Sequence, residues 1–215
     1  MQITNEKVAF LGDSITVGHA AYPVKEFAYF ALFRQAYPDA KFYSCGHSGS
    51  CIGRTHECEG EKWNRDFILR VEEMPEDLDL IVVYGGTNDF GHGREPLGEL
   101  GDTDGYQSFY GAIKQLYDVL TERYPNAKIF FATPFPRRIE NEPNMHGKLL
   151  KDYVQAVIES GKKWGFPVMD LNAECKIDAQ DLAVREKYLP DGLHPSIDGH
   201  RLIFELFDKF IKENL

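Results

Sequence analysis

Residues 79–89 read DLIVVYGGTND. From Leu80 to Tyr84 every side chain is apolar, Ile81, Val82 and Val83 are β-branched, and Gly85-Gly86 stops the run. A half-buried strand alternates polar and apolar residues. A short continuous apolar run between turn signals suits a strand covered on both faces. Sheets made of such strands are parallel, with helices packed above and below. The signature recurs on either side of Asp79–Tyr84. Lys7–Leu11 (KVAFL) stops at Gly12, and Lys41–Cys45 (KFYSC) stops at Gly46. Lys128–Ala132 (KIFFA) is broken by Pro134 and Pro136, and Pro167–Leu171 (PVMDL) is a further strand.

Segments of helical period lie between the strands. Pro23–Tyr37 carries Phe27, Phe30, Ala31, Phe33 and Arg34, with Pro23 suited to a first turn. Trp63–Glu73 groups Phe67, Ile68 and Val71, and Tyr106–Tyr124 groups Phe109, Ile113, Leu116, Tyr117 and Leu120. Gly147–Trp164 aligns Leu150, Tyr153, Val154, Val157 and Ile158, and Ser196–Ile211 is the last helix. The alternation predicts an α/β protein with one domain over residues 1–215. Its architecture is a three-layer α/β/α sandwich on a parallel sheet of about five strands. Ligands of such sheets bind outside the carboxyl ends of the strands. Chemistry is therefore sought in the residues that follow each strand.

Composition narrows the partners. A chain of 215 residues, 43% apolar and 27% charged, has ordinary globular values, which excludes disordered and collagenous classes. The net charge of −10 and the absence of basic clusters beyond Arg137-Arg138 and Lys162-Lys163 argue against a nucleic-acid partner. Apolar runs such as Leu78–Tyr84 fall far short of the roughly 18 residues that suggest a membrane span. The first residues show no basic-then-apolar leader, so a cytoplasmic location is expected. Cys45, Cys51, Cys58 and Cys175 follow no zinc spacing, even with His47 and His56 among them, and read as free thiols in a reducing compartment. No metal and no cofactor is expected.

The strand ends carry the distinctive residues. Gly12-Asp13-Ser14 follows the first strand, Gly46-His47-Ser48-Gly49-Ser50 the second, and Gly85-Gly86-Thr87-Asn88-Asp89 the third. Asp191-Gly192-Leu193-His194-Pro195 precedes the last helix. All of these segments are expected in loops. A serine hydroxyl is a weak nucleophile until a base takes its proton. Histidine suits that task, and a carboxylate usually fixes its tautomer. Asp191 and His194 are spaced so that a tight turn, relaxed by Gly192, brings carboxylate to imidazole. Pro195 keeps His194 out of helical geometry. An acyl-transfer transition state also needs donors for its oxyanion. The candidates are the Ser14 and Gly49 backbone N–H groups and the Asn88 amide.

Together the segments resemble the SGNH, or GDSL-type, esterase and lipase family. FLGDSIT (10–16) resembles its first block, Ser48-Gly49 its second, Gly86-Thr87-Asn88-Asp89 its third, and Asp191 with His194 its last, in order over residues 7–200. The resemblance implies a flavodoxin-like sheet, no metal, and hydrolysis of a small-molecule ester through an acyl-enzyme. It assigns Ser14 as nucleophile, His194 as base, Asp191 as acid, and Ser14, Gly49 and Asn88 as the oxyanion hole. Family members often carry Asn at the position of Ser44, a departure read as structural. The family also includes carbohydrate esterases, lysophospholipases and thioesterases, and transfer of the acyl group to another alcohol at the same site is an alternative. The short loops favour a short acyl group, such as acetyl, on a carbohydrate or other small alcohol. Phe90, His92 and Phe135 are expected to line the substrate, the first two within a long loop over Phe90–Gly105.

Plainer readings stand beside these. Ser14 also suits a helix cap, Gly49 a turn, Asn88 an Asx turn, and Asp191 with His194 a solvated pair. Asp13 and Asp89 read as organisers of their loops. His47, His92 and His200 read as loop or surface residues, and Arg137 and Arg138 as a solvated loop. GHSGS approaches the G-x-S-x-G nucleophile elbow, which makes Ser48 a rival, but its fifth residue is Ser50 rather than Gly. A non-catalytic carbohydrate or acyl-ligand binder is the alternative of another class.

Overall fold

A computed structural model describes residues 3–18, 26–53 and 65–215. Its sheet contains β1 (Lys7–Gly12), β2 (Lys41–Gly46), β3 (Leu80–Tyr84), β4 (Lys128–Ala132) and β5 (Val168–Met169). The spatial order is β2-β1-β3-β4-β5, and every neighbouring pair is parallel. This is the flavodoxin-like doubly wound order, whose switch point lies between β1 and β3.

Alternation along the strands divides the interior into two cores. Ala9, Leu11, Ile81, Val83, Ile129 and Phe131 face one side. There they meet α3 (Phe67–Arg70), α5 (Phe109–Arg123) and α6 (Leu150–Trp164). Val8, Phe10, Leu80, Val82, Phe130 and Ala132 face the other side, against α2 (Tyr29–Ala36) and α9 (Ile197–Asn214). Both faces of β3 are fully covered, which is why its sequence is apolar without alternation.

The ends of the elements differ from expectation where side chains cap the backbone. The fifth strand is short because Asp170 accepts the Ala173 N–H at 3.2 Å. That bond turns Leu171–Glu174 into the short helix α7. Ser108 Oγ accepts the Gly111 N–H at 3.0 Å and starts α5 three residues later than the apolar period suggested. Asp152 accepts the Leu149 N–H at 2.8 Å and fixes the start of α6 after Gly147. The described part of the predicted helix over Trp63–Glu73 is α3 followed by a 3₁₀ turn at Val71–Glu73. Trp63 itself, and Pro23 of the predicted first helix, lie outside the described residues, as do His56 and Cys58. Three further short helices have too few residues to show a period: α1 (Ser14–Val17), α4 (Thr87–His92) and α8 (Leu182–Tyr188). Ser14 and Asn88 thus sit in first helical turns, not in loops. Among the described residues no helix is long and apolar enough to cross a membrane.

Candidate active site

Gly12 pairs in register with Gly46 on one side and Tyr84 on the other. The segments leaving β1, β2 and β3 therefore start side by side at the carboxyl edge of the sheet. Asp13 accepts the Ile15 N–H at 2.9 Å and N-caps α1, which presents Ser14 as its first residue. Ser14 Oγ lies 3.1 Å from His194 Nε2, across 180 residues of chain. His194 Nδ1 lies 2.7 Å from Asp191 Oδ2. The other oxygen, Asp191 Oδ1, accepts the N–H groups of Leu193 at 2.9 Å and His194 at 2.7 Å. The turn closes through Gly192, whose φ of +83° suits glycine. Ser196 then caps α9 by accepting the Gly199 N–H at 3.2 Å.

The electrostatics of Asp191 follow from this turn. Burial works against its charge, but the donors from the His194 ring and the His194 and Leu193 backbone outweigh it. Its carboxyl is held below the ordinary value.

The second and third segments are joined by one buried residue. Ser50 has no exposure and receives the Asn88 amide on its carbonyl at 2.9 Å. Ser50 Oγ donates to the His47 carbonyl at 2.7 Å and accepts from Arg70 Nη2 at 2.9 Å. Between them Gly49 turns the chain at φ +79°. Among the described residues the Gly49 N–H has no hydrogen-bond partner. Asn88 Nδ2 spends one hydrogen on Ser50, which leaves its second for another acceptor. Asp89 accepts the Ile52 N–H at 3.0 Å and the Gly53 N–H at 2.7 Å, locking the same loop to α4. Burial pushes its carboxyl up to about 6 against those donors. Asp13, also pushed up first by burial, stands at about 7, with the Ile15 N–H and the cations Arg70 and Arg137 pulling it down.

Several expected positions fall elsewhere. Phe90 and Phe135 are each 1% exposed and pack into the two cores. His92 is exposed at the end of α4. The segment after it is fastened down, since Pro96 and Leu97 carbonyls accept the N–H groups of Phe109 and Tyr110. His200 is fully buried, not a surface residue, and its Nδ1 accepts the Tyr29 N–H at 3.3 Å. Burial, with the neighbouring His194, lowers its pKa to about 4. Ser48 Oγ has no hydrogen-bond partner among the described residues, so no base serves the rival nucleophile. Cys45, Cys51 and Cys175 are free thiols. Burial raises Cys45 and Cys175 to about 11 each.

Two arginines carry more of the site than their sequence context suggested. Arg70 is 5% exposed, bonds the Cys45 carbonyl, and donates to the Gly12 carbonyl at 3.0 Å. It thus clamps the ends of β1 and β2. Its signal in the sequence was a cation on the apolar face of Phe67, Ile68 and Val71. Arg137 is 9% exposed, so the solvated-loop reading fails for it while holding for exposed Arg138.

The flavodoxin-like strand order thus carries a hydroxyl–imidazole–carboxylate line at the carboxyl edge of its sheet. The GDSL-like lipase/acylhydrolase family matches residues 10–202, and the chain belongs to it. A protein from Lactobacillus plantarum superposes with a TM-score of 0.84 at 26% identity, covering 100% of both chains. A possible lipase from Chitinophaga pinensis does so with a TM-score of 0.76 at 20% identity, over 97% of this chain and 98% of that one. An acetyl xylan esterase from Geobacillus stearothermophilus gives 0.66 at 22% identity, over 100% and 99%. No curated protein sequence gives a significant match.

Proposed function

We propose that the chain is a serine esterase that cleaves a carboxylic ester through an acyl-enzyme. The observation that carries this is the line from Ser14 Oγ through the His194 ring to Asp191, with steps of 3.1 and 2.7 Å. His194 Nε2 takes the hydroxyl proton as Ser14 Oγ attacks the ester carbonyl. Asp191, held ionised by its donors, keeps the proton on Nδ1 and balances the imidazolium that forms. The N–H groups of Ser14 and Gly49 and the second Asn88 hydrogen receive the oxyanion. His194 returns the proton to the leaving alcohol. Water then attacks the acyl-Ser14 ester with His194 again as base, releasing the acid. No metal or cofactor enters these steps.

The acyl group is short, and the alcohol is a carbohydrate or another small alcohol. Support comes from the fastened segment between α4 and α5, which offers no cover for a long chain. An acetyl xylan esterase also shares the fold.

The test is hydrolysis of p-nitrophenyl acetate, butyrate and decanoate by wild type and Ser14→Ala. We expect kcat/KM to fall with acyl length, and Ser14→Ala to lose about 10⁶-fold in kcat. Its melting temperature should stay within a few degrees of wild type. Equal activity in the variant sinks the nucleophile assignment, and a preference for decanoate sinks the short-acyl one.

A further inference from the structure

We propose that Arg137 is a positioning residue, tying the helix that carries Asn88 to the turn that carries Asp191 and His194. The inference rests on the roles given above to those three side chains.

Arg137 follows β4 in the stretch Pro134-Phe135-Pro136-Arg137. Its Nη1 donates to the Thr87 carbonyl at 2.8 Å and to Thr87 Oγ1 at 3.1 Å. Thr87 is the first residue of α4, immediately before Asn88. The next residue along, Arg138, donates its backbone N–H to the Gly192 carbonyl at 2.8 Å. Gly192 is the centre of the Asp191–His194 turn. One dipeptide therefore holds the oxyanion side of the site with a side chain and the acid–base side with its backbone.

The seat for this dipeptide is shaped by two missing side chains. A Cβ on Gly91 would stand 2.8 Å from Arg137 Nη1, and a Cβ on Gly192 would stand 2.9 Å from Arg138 Cβ. The guanidinium also lies over the Phe90 ring, 5.4 Å from its centroid. Its Nε is buried without a hydrogen-bond partner among the described residues. A desolvated cation with an unsatisfied donor is costly to keep. Thr87 and the ring fix its plane, and no carboxylate forms an ion pair with it among the described residues.

The charge adds a second link. The cation feels the charges of Asp13 and Asp191, and Glu140 accepts the Arg137 backbone N–H at 3.2 Å. Asp13 in turn faces Arg70 and Asp89, and Asp191 faces His194. Removing the Arg137 charge favours every protonated form beside it. The acid-side fall in rate should then begin at higher pH.

The experiment compares Arg137→Met, Arg137→Lys and Gly91→Ala with wild type. A fluorophosphonate probe counts reactive serines, and kcat for p-nitrophenyl acetate is expressed per labelled site across pH. Gly91→Ala keeps the charge and crowds the guanidinium, whose Nη1 would stand 2.8 Å from the new Cβ. Misplacing a catalytic group by about 1 Å costs up to about 10²-fold, so a smaller shift passed on to Asn88 is enough to be read. We expect Arg137→Met and Gly91→Ala to lose about 10-fold or more in kcat per labelled site, with KM nearly unchanged. The acid limb should move to higher pH in Arg137→Met alone, and Arg137→Lys should restore its position. Wild-type kcat per labelled site in both Arg137→Met and Gly91→Ala overturns the proposal, whatever their melting temperatures. So does a lowered kcat in Arg137→Met with an unmoved acid limb and an intact Gly91→Ala. A wild type inert to ester and probe instead refutes the esterase reading, and the tie with it.

Discussion

Asp13 and Asp191 flank the Ser14–His194 pair, and both feel the charge of Arg137, yet they are opposite in electrostatic character. Asp13 is 2% exposed and has one hydrogen-bond donor among the described residues, the Ile15 N–H, so burial dominates and its carboxyl rises to about 7. The Asp191 side chain is 44% exposed and has three donors, so its carboxyl falls below the ordinary value. The number of donors per carboxylate, set against its burial, decides which one stays ionised. The one that stays ionised is the one that faces the imidazole. Asp13 builds the turn under Ser14, and Asp191 serves His194.

The largest expected effect tests that division. Asp191→Asn should lower kcat by about 10⁴-fold, because an amide beside Nδ1 no longer fixes the tautomer. With Asp191 half exposed, its thermal stability should change little. Asp13→Asn should do the reverse, keeping most of the activity per labelled serine. Similar losses of kcat in the two variants would erase the contrast between the two carboxylates.

Asn88→Ala tests the neighbouring segment and ranks next. Losing one oxyanion donor costs about 10²–10³ in kcat. The variant also strips the Ser50 carbonyl of its amide partner, a buried loss of about 1–3 kcal/mol. Thermal unfolding and kcat should therefore both drop. A fall in stability with unchanged kcat would leave Asn88 as a loop fastener only.

The contrast between segments also explains what was legible in the sequence. β1, β3 and β4 were readable because burial on both faces leaves a continuous apolar run, as at Leu80–Tyr84. The spacing of Asp191 and His194 was readable because the turn that joins them is local. Arg70 and Arg137 were not legible as site residues. Their acceptors, Gly12 O and Thr87 O, lie 58 and 50 residues away, and nothing local marks such a contact. Phe90 and Phe135 follow strand ends and so looked like pocket walls. They fill the cores because α4 turns Phe90 toward Tyr153, and Phe135 packs beneath the second layer. Short helices such as α1 and α4 escaped because four to six residues are fixed by caps and glycines rather than by a period.

The smallest expected effect concerns pH and stability, and it uses Asp89 to sharpen the same contrast. Its folded pKa of about 6 lies above the ordinary 3.8, so the folded state holds this proton more tightly than the unfolded chain. The stability this gives is complete below about pH 4 and is lost as pH rises through about 6. The difference between 3.8 and about 6 corresponds to roughly 3 kcal/mol at most. Asp13 adds a loss of the same sign up to about pH 7. Asp191 works the other way, because its lowered pKa gives stability above the ordinary value that fades as pH falls. Half exposed, it contributes little. Asn at position 89 imitates the protonated carboxyl but offers a single oxygen to the Ile52 and Gly53 N–H groups. Asp89→Asn should therefore be less stable than wild type near pH 4.5, where a carboxyl is already neutral. It should close or reverse that gap near pH 7.5. Urea midpoints at both values measure it. A gap that stays constant with pH would mean that Asp89 keeps its charge when folded, leaving Asp13 as the sole counterpart to Asp191.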